Sequence, residues 1–438
     1  MHAIYETVLI YLESFTIENF FSTYWYFIIF DFGRYFLLSL VMVIIYLLKY
    51  SERKTQKRKA RKHLFYDYPL VSVIVPGKNE GKHIPKLTQT LRKQTYKNIE
   101  TIIVDDGSKD DTAGICRNAL KKGEISRFFS VAVRGGKASA ANLALRYARG
   151  AYIIHIDADS NLDSRALEEM LIPFYMDKRV GAVGGDIRVA NAEESLASSL
   201  QALEYAKTIS IGRRVASQFG ILRIISGAFG AFKTDILREL GGWDVGPGLD
   251  GDITVKIRKL GYRVVFAPDA VCFTNTPVSF KALARQRFRW SRSLIRFRLR
   301  KHIDMLFPYD NFRWPNCFFL LDNLLFGLIL NINWFIYTIF IISRYGNRVV
   351  TILFVNLFLY TLLGGIQMLV ILCLAPNKAI RRHDASLWIY IPAMSPYSGL
   401  YLRFVTIFAH LSEFFFKSSY RDPWNPWKVS RKVLQEEQ

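Results

Sequence analysis

The chain of 438 residues carries 59 Lys+Arg against 37 Asp+Glu, a formal net charge of +22, yet 51% of it is hydrophobic and 15% is aromatic. That apolar mass excludes a disordered chain, whose mark is low hydrophobicity with high charge. The 27 Gly and 14 Pro follow no period, which excludes a collagen-like or low-complexity repeat. A mean hydropathy of +0.12 beside this charge leaves a membrane protein with a large folded domain, its positive charge facing anionic lipid or an anionic substrate.

Residues 35–48 form an uncharged apolar run. Extended back to Trp25 it reaches the ~20 residues a span needs, with Asp31 and Arg34 in its first half. No small-residue cleavage site follows it and residues 1–24 hold no basic n-region, so 1–48 reads as an N-terminal segment and retained span rather than a cleaved leader. Residues 49–62 then place eight basic side chains against Glu52 alone. The positive-inside rule puts that side in the cytoplasm and makes 49–69 a basic cytoplasmic linker.

From residue 70 short apolar runs alternate with amphipathic segments: strands over 71–76, 99–106, 128–133 and 151–159, helices over 82–92, 113–121 and 136–148. This alternation predicts an α/β domain with a parallel sheet and helices on both faces, whose ligands bind at the carboxyl ends of the strands. Two acidic clusters fall at those ends. Asp105-Asp106-Gly107-Ser108 also fits a turn or helix cap. Asp157-Ala158-Asp159 follows an isoleucine-rich strand, and two carboxylates at that spacing suit a hard cation that keeps positions for phosphate oxygens. There is no G-x-x-x-x-G-K-[ST] and no G-x-G-x-x-G after the first strand, so P-loop and dinucleotide-binding readings have no support. Cys116, Cys272, Cys317 and Cys373 form no C-x-x-C pair and are expected to be free buried thiols.

Residues 281–301 hold nine basic residues and no acid. They fit an interfacial helix on anionic lipid and equally a phosphate-binding wall, because the Arg fork binds phosphate bidentately. Nucleic acid is a poor partner: the segment abuts a span and no RNA motif accompanies it. Uncharged runs over 323–343 and 349–377, separated by RYGNR, predict a helical hairpin. The apolar stretch 387–416, broken by Pro392, Pro396, Arg403 and Glu413, stays open between one span, a re-entrant pair and an interfacial helix. Trp424 and Trp427 suit a membrane interface.

In chain order the segments VSVIVPGKNE, VDDGSKDDT, GKASAANLA, DADS and QRFRW resemble those of the family 2 glycosyltransferases with the GT-A fold. The last two resemble the D-x-D and Q-x-x-R-W motifs of its membrane-embedded processive branch, the synthases of cellulose, hyaluronan, chitin and poly-N-acetylglucosamine. The resemblance implies a GT-A-type mixed, mainly parallel sheet with helices on both faces over 70–276 and interfacial helices over 277–315. Transmembrane or re-entrant helices over 316–416 and a tail over 417–438, whose tryptophans would gate the donor site, complete the frame. It implies that Asn79, Glu80, Asp106 (against uracil), Lys137, Asn142, Asp157, Gln286 and Arg289 bind a UDP-sugar. Asp159, with Asp157, would hold Mg²⁺ or Mn²⁺, and Trp290, Ser226 and Gly227 would meet the acceptor sugar. Asp250 takes the position of the catalytic base, although the family's Thr-Glu before it is Gly248-Leu249 here. Asp252 competes for that role, Asp244 is more distant, and a helix cap also explains Asp250. Core packing explains Ser226, Gly227 and Ala228 as well as an acceptor contact does.

The implied activity is an inverting polymerisation of a β-linked polysaccharide from UDP-glucose or UDP-N-acetylglucosamine at the inner or plasma membrane. The catalytic domain is cytoplasmic in this reading, anionic lipids surround it, and accessory export or modification proteins are compatible. The alternatives are a non-processive lipid-directed enzyme resembling ceramide glucosyltransferases, and a basic membrane scaffold or transporter subunit without catalysis.

Overall fold

The computed structural model of the chain describes residues 16–244, 248–308 and 312–421, so the expectations for Trp424 and Trp427 lie outside the described residues. The chain enters as a long helix, α1 (Ile17–Leu48), ahead of the expected start at Trp25. Thr16 caps it, accepting from the Asn19 amide at 3.2 Å. Its hydrogen bonds widen to the π spacing over Phe27–Leu37, the stretch that carries Asp31 and Arg34.

The basic segment that follows is a docked helix, α2 (Tyr50–Asp67), which corrects the expectation of a linker over 49–69. Lys57 Nζ lies 2.6 Å from Glu169 and 2.5 Å from Asp269, and Arg61 lies 2.5 Å from Glu168 and 2.7 Å from Glu169. The acidic partners are scattered more than a hundred residues away, so local charge counting reads the segment as solvated.

The domain proper runs β1 (Val71–Gly77), α3 (Ile84–Arg92), β2 (Ile99–Asp106), α4 (Thr112–Lys121), β3 (Arg127–Val131), α5 (Lys137–Tyr147), β4 (Tyr152–Ile156), β5 (Asn161–Leu162), α6 (Ala166–Met176) and β6 (Val180–Val189). It continues through α7 (Leu196–Tyr205), α8 (Arg213–Gln218), β7 (Phe229–Lys233), α9 (Thr234–Glu239), α10 (Leu249–Lys259) and β8 (Arg263–Thr274). The eight strands lie in the order β3-β2-β1-β4-β7-β6-β8-β5. Pairs β1–β2, β1–β4, β2–β3 and β6–β8 are parallel, and β4–β7, β6–β7 and β5–β8 are antiparallel. The mixed, mainly parallel sheet expected from the sequence is thus present. β1 is buried on both faces, which is why it reads as an unbroken apolar run. One core packs α3, α4, α6 and α7 on one face through Leu87, Cys116, Leu167 and Leu200. A second packs α5, α9 and α10 on the other through Ala141, Ile236 and Ile253.

The C-terminal third holds α11 (Phe280–Ser293), α12 (Trp314–Tyr345), α13 (Val349–Cys373), α14 (Lys378–Ser386) and α15 (Leu402–Phe416). Among the described residues three helices, α1, α12 and α13, are long and apolar enough to cross a membrane. α12 starts earlier than the run at 323 because Asp322 is neutralised, by Arg34 at 2.8 Å and by Arg223 at 2.8 Å. The stretch 387–416 is not one helix: a 3₁₀ turn over Leu387–Tyr390 precedes the separate α15. α15 is amphipathic, with Phe404, Phe408 and Leu411 exposed, while buried Glu413 holds Arg300 at 3.1 Å. The cysteines are free, but Cys373 is exposed, unlike the other three.

A buried ion triad ties this helical part to the sheet. Arg188 on β6 donates to Asp186 at 2.9 Å and to both oxygens of Asp384 on α14 at 2.6 Å, and Asp186 accepts from Ser210 at 2.5 Å. The Asp384 side chain is fully buried and that of Arg188 is 4% exposed. Removing the shared arginine strands two buried carboxylates, so Arg188→Ala should cost about 3–5 kcal/mol, seen as unfolding at lower urea in detergent.

Candidate active site

The parallel register sets the site. Gly77 pairs with Asp105, and Ile74 pairs with His155, so the ends of β1, β2 and β4 finish along one edge. That edge brings together Glu80, Asp106, Asp157 and Asp159 in the wall of one large cavity. Asp106 accepts from the amides of Gly135 at 2.6 Å and Gly136 at 2.8 Å. Gly136 has φ +91°, a conformation that a side chain would strain. This turn delivers Lys137 at the start of α5, where its ammonium pairs with Asp157. Burial pushes the Lys137 ammonium down, but Asp157 and Asp250 outweigh it, with Asp159 adding to them, and its pKa is raised.

The carboxylates repel one another. Burial, then Asp157, lifts Asp159 to about 6, although Thr274 donates to it at 3.3 Å. Burial, then Asp159 and Asp157, lifts Glu80 to about 7. Such crowding of negative charge suits a cation. Among the described residues no three His, Cys, Asp or Glu side chains converge as a metal cluster. Two carboxylates with the rest of the shell left to phosphate and water is the way Mg²⁺ is commonly held, so Asp157 and Asp159 fit such an ion.

Ser226, Gly227 and Ala228 join this edge to α10. Ala228 O accepts from the Asp157 amide at 3.3 Å, and Gly227 O meets His155 Nδ1 at 2.5 Å. Burial lowers His155 to about 3, which leaves a neutral ring as a structural partner. The Gly227 amide donates to Asp250 Oδ2 at 2.8 Å, and a Cβ on Gly227 would sit 2.4 Å from Asp250 Oδ1. Only glycine allows that approach. Thr254 Oγ1 donates to Asp250 O at 2.7 Å and accepts from the Ile225 amide at 3.0 Å, fixing α10 against this turn.

Asp250 and Asp252 part here. Asp250 lines the cavity. Burial raises its pKa, and Asp157 adds to this, against Lys137, the Gly227 amide and Arg213. Asp252 is 1% exposed and is not a cavity wall. His302 lies 2.8 Å from it, Lys301 2.9 Å and Lys256 3.5 Å. Burial pushes Asp252 up, but the hydrogen bond with His302 and the charges of Lys301 and Lys256 hold it well below the usual carboxylate range. Asp244 is spent on Lys256 at 2.5 Å and on Lys301.

α11 presents Gln286, Arg287, Arg289 and Trp290 to the same cavity, a face set by the three- and four-residue spacing. Gln286 Oε1 is buried there without a protein partner. Asn79 and Asn142 are not brought in. Asn79, at φ +58°, accepts from the Lys109 amide at 2.8 Å and ties the first two strand loops. Asn142 clamps the Trp243 backbone, donating to its O at 2.7 Å and accepting from its N at 2.8 Å. The positive charge of 281–301 also turns inward in part: Arg287, Arg300 and Lys301 pair with Glu204, Glu413 and Asp252.

Sequence reasoning missed Glu204, Lys207, Arg213, Arg223 and Arg298 as cavity residues. None lies in a motif, and only the adjacent arginines at 213 and 214 offered a signal. Arg213 Nη1 is buried without a hydrogen-bond partner. Burial alone lowers Lys207 to about 8. The cavity continues between the spans past Tyr26, Trp334, Tyr337 and Tyr360. At about 1900 Å³ it exceeds the ~300–1,000 Å³ of a small-ligand pocket and reaches from the strand ends to the spans.

Residues 72–241 match the sequence model described as glycosyl transferase family 2. A poly-beta-1,6-N-acetyl-D-glucosamine synthase of Staphylococcus epidermidis is 32% identical over 224 residues, 51% of this chain and 54% of that protein. The synthase of the same name from Staphylococcus aureus is 31% identical over the same shares. The chain therefore spans about half the length of the curated relatives it matches. A mannosyltransferase of Pyrobaculum calidifontis, solved with GDP-mannose and Mn²⁺, superposes with a TM-score of 0.54 at 20% identity, covering 86% of this chain and 99% of that one. The fold is of the GT-A type.

A cation held by Asp157 and Asp159 would compete with the proton on Asp159, and protonation of Glu80 would remove a negative charge beside it. Mn²⁺ binding, followed without substrate by the loss of free-ion electron paramagnetic resonance signal, should weaken as pH falls through about 7 to below about 6. Asp159→Asn should remove most of that binding.

Proposed function

We propose that this chain is a membrane-bound inverting glycosyltransferase that extends a β-linked polysaccharide from a UDP-sugar, UDP-N-acetylglucosamine before UDP-glucose, and passes it between its own helices. The observation that carries the reading is the single cavity joining the carboxylates at the strand ends to the aromatic passage between α1, α12 and α13. The named relatives favour N-acetylglucosamine as the sugar. The basic run after α1 supports a cytoplasmic catalytic domain at the cell membrane.

In this reading the uridine diphosphate lies across the edge of β1, β2 and β4, with Asp106 holding the loop around it. Lys137 faces the diphosphate, and Gln286 and Arg289 approach it from α11. Asp157 and Asp159 would hold a divalent ion, which would supply charge neutralisation for the departing diphosphate. Asp250 takes the proton of the acceptor hydroxyl, whose oxygen attacks the anomeric carbon from the face opposite the leaving group. The new C–O bond forms as the bond to phosphate oxygen breaks, so an α-linked donor gives a β-linkage. A base whose pKa is raised by burial accepts a proton near neutral pH better than an ordinary aspartate does. Trp290 gives the acceptor ring a flat apolar face, and Ser226 and Gly227 leave room beside it.

The test is UDP release and product size with the purified protein, Mg²⁺ or Mn²⁺ and each of the two donors. A polymer from UDP-N-acetylglucosamine is expected; a single-sugar lipid product or silence with both donors sinks the reading. Asp250→Asn should lower kcat by roughly 10²–10⁴-fold with donor binding kept. Normal turnover in that variant would place the base elsewhere. Trp290→Ala should shorten the product, and unchanged chain length would remove the stacking role.

A further inference from the structure

The wall that carries Trp290 is backed by a half-hidden ion pair, whose arginine fills a variable position of Q-x-x-R-W and whose glutamate lies outside every motif. Arg287 precedes Trp290 by one turn of α11, and its guanidinium lies 4.7 Å from the centroid of the Trp290 ring and 5.6 Å from that of Tyr205. Its Nη2 donates to Glu204 Oε2 at 2.9 Å. The Tyr397 hydroxyl donates to the same oxygen at 2.7 Å. The two side chains of the ion pair are only 13% and 14% exposed.

Three distant parts of the chain meet at this point. Glu204 closes α7 beside the sheet, Arg287 and Trp290 lie on α11, and Tyr397 opens the π turn that leads into α15. A guanidinium beside two aromatic faces is attracted to both, and a carboxylate with a second donor on it fixes which way the planar fork points. Trp290 remains 42% exposed, in the cavity wall. The ring is thus held from behind and open in front.

We propose that Glu204 and Tyr397 are positioning residues that act through Arg287 to hold the Trp290 ring, so that the segment leading into α15 sets how tightly the acceptor carbohydrate is gripped. This rests on Trp290 being the acceptor platform of the proposed transferase. Glu204 and Tyr397 touch no reacting atom in this scheme. Their effect is on the orientation of a flat face that must lie along the sugar ring.

The experiment uses the full chain in lipid nanodiscs and has two parts. Without substrate, Trp290 emission is isolated as the difference between the chain and its Trp290→Phe variant. Glu204→Gln should shift that difference spectrum, and Tyr397→Phe, which loses one hydroxyl, should shift it less. An unchanged spectrum in Glu204→Gln overturns the proposal whether or not the protein transfers sugar. If Glu204→Gln does not fold, an unchanged spectrum in Tyr397→Phe overturns it instead. With a β-linked N-acetylglucosamine oligosaccharide as acceptor, Glu204→Gln should raise the acceptor KM roughly tenfold, but less than about twofold when Trp290 is already Ala. Equal effects in the two backgrounds overturn the proposal. Failure of the unaltered protein to transfer sugar overturns the functional reading alone, and the emission result still decides the positioning.

Discussion

Like charge gathered at the ends of three parallel strands is the constraint that the rest of the molecule serves. Asp157, Asp159, Glu80 and Asp250 share one cavity, and burial raises the last three. Lys137 is the fixed counter-charge, and it stands there only because the Gly135–Gly136 turn is pinned to Asp106. The opposite side is pinned the same way, through the Gly227 amide on Asp250 and the carbonyls of Gly227 and Ala228 on the β4 edge. Backbone groups thus set the spacing of the carboxylates, and the side chains keep their charge for a ligand.

The same logic sorts carboxylates that look alike along the chain. Asp250 and Asp252 are two residues apart in the first turn of α10, yet a helix turns them to different sides. One faces the cavity with a raised pKa. The other is absorbed by His302, Lys301 and Lys256. Lysines of 281–301, read from the sequence as a lipid or phosphate surface, and of 49–62, read as a topology signal, take part in this sorting. Lys301 removes Asp252 from the site, and Lys57 closes the domain against α2. Part of the positive charge in these two runs is therefore structural cement for acids elsewhere in the fold.

Legibility in the sequence followed the range of the interactions. The first four strands, their order of appearance and the acidic ends were readable, because a buried strand is an unbroken apolar run and Asp157 and Asp159 follow one directly. The directions of Asn79 and Asn142 were not, because each depends on a backbone partner in another loop, Lys109 or Trp243. The docking of α2 and the Glu204–Arg287 pair were invisible for the same reason: their partners are 83 to 212 residues apart and no local pattern announces them. Asp31 and Arg34 interrupted the expected first span, and only their partners Tyr360 and Asp322 show how a helix of that composition is tolerated.

The ion pairs from α2 to Glu168 and Glu169, from Arg188 to α14 and from Arg223 to α12 act as three struts at well-separated places. Together they tie the domain to its helices at three places, and a movement of the whole domain against them would have to break these charge contacts. In the proposed function, advance of the polymer would then fall to whatever moves inside the cavity: the sugar, its grip and the water it displaces.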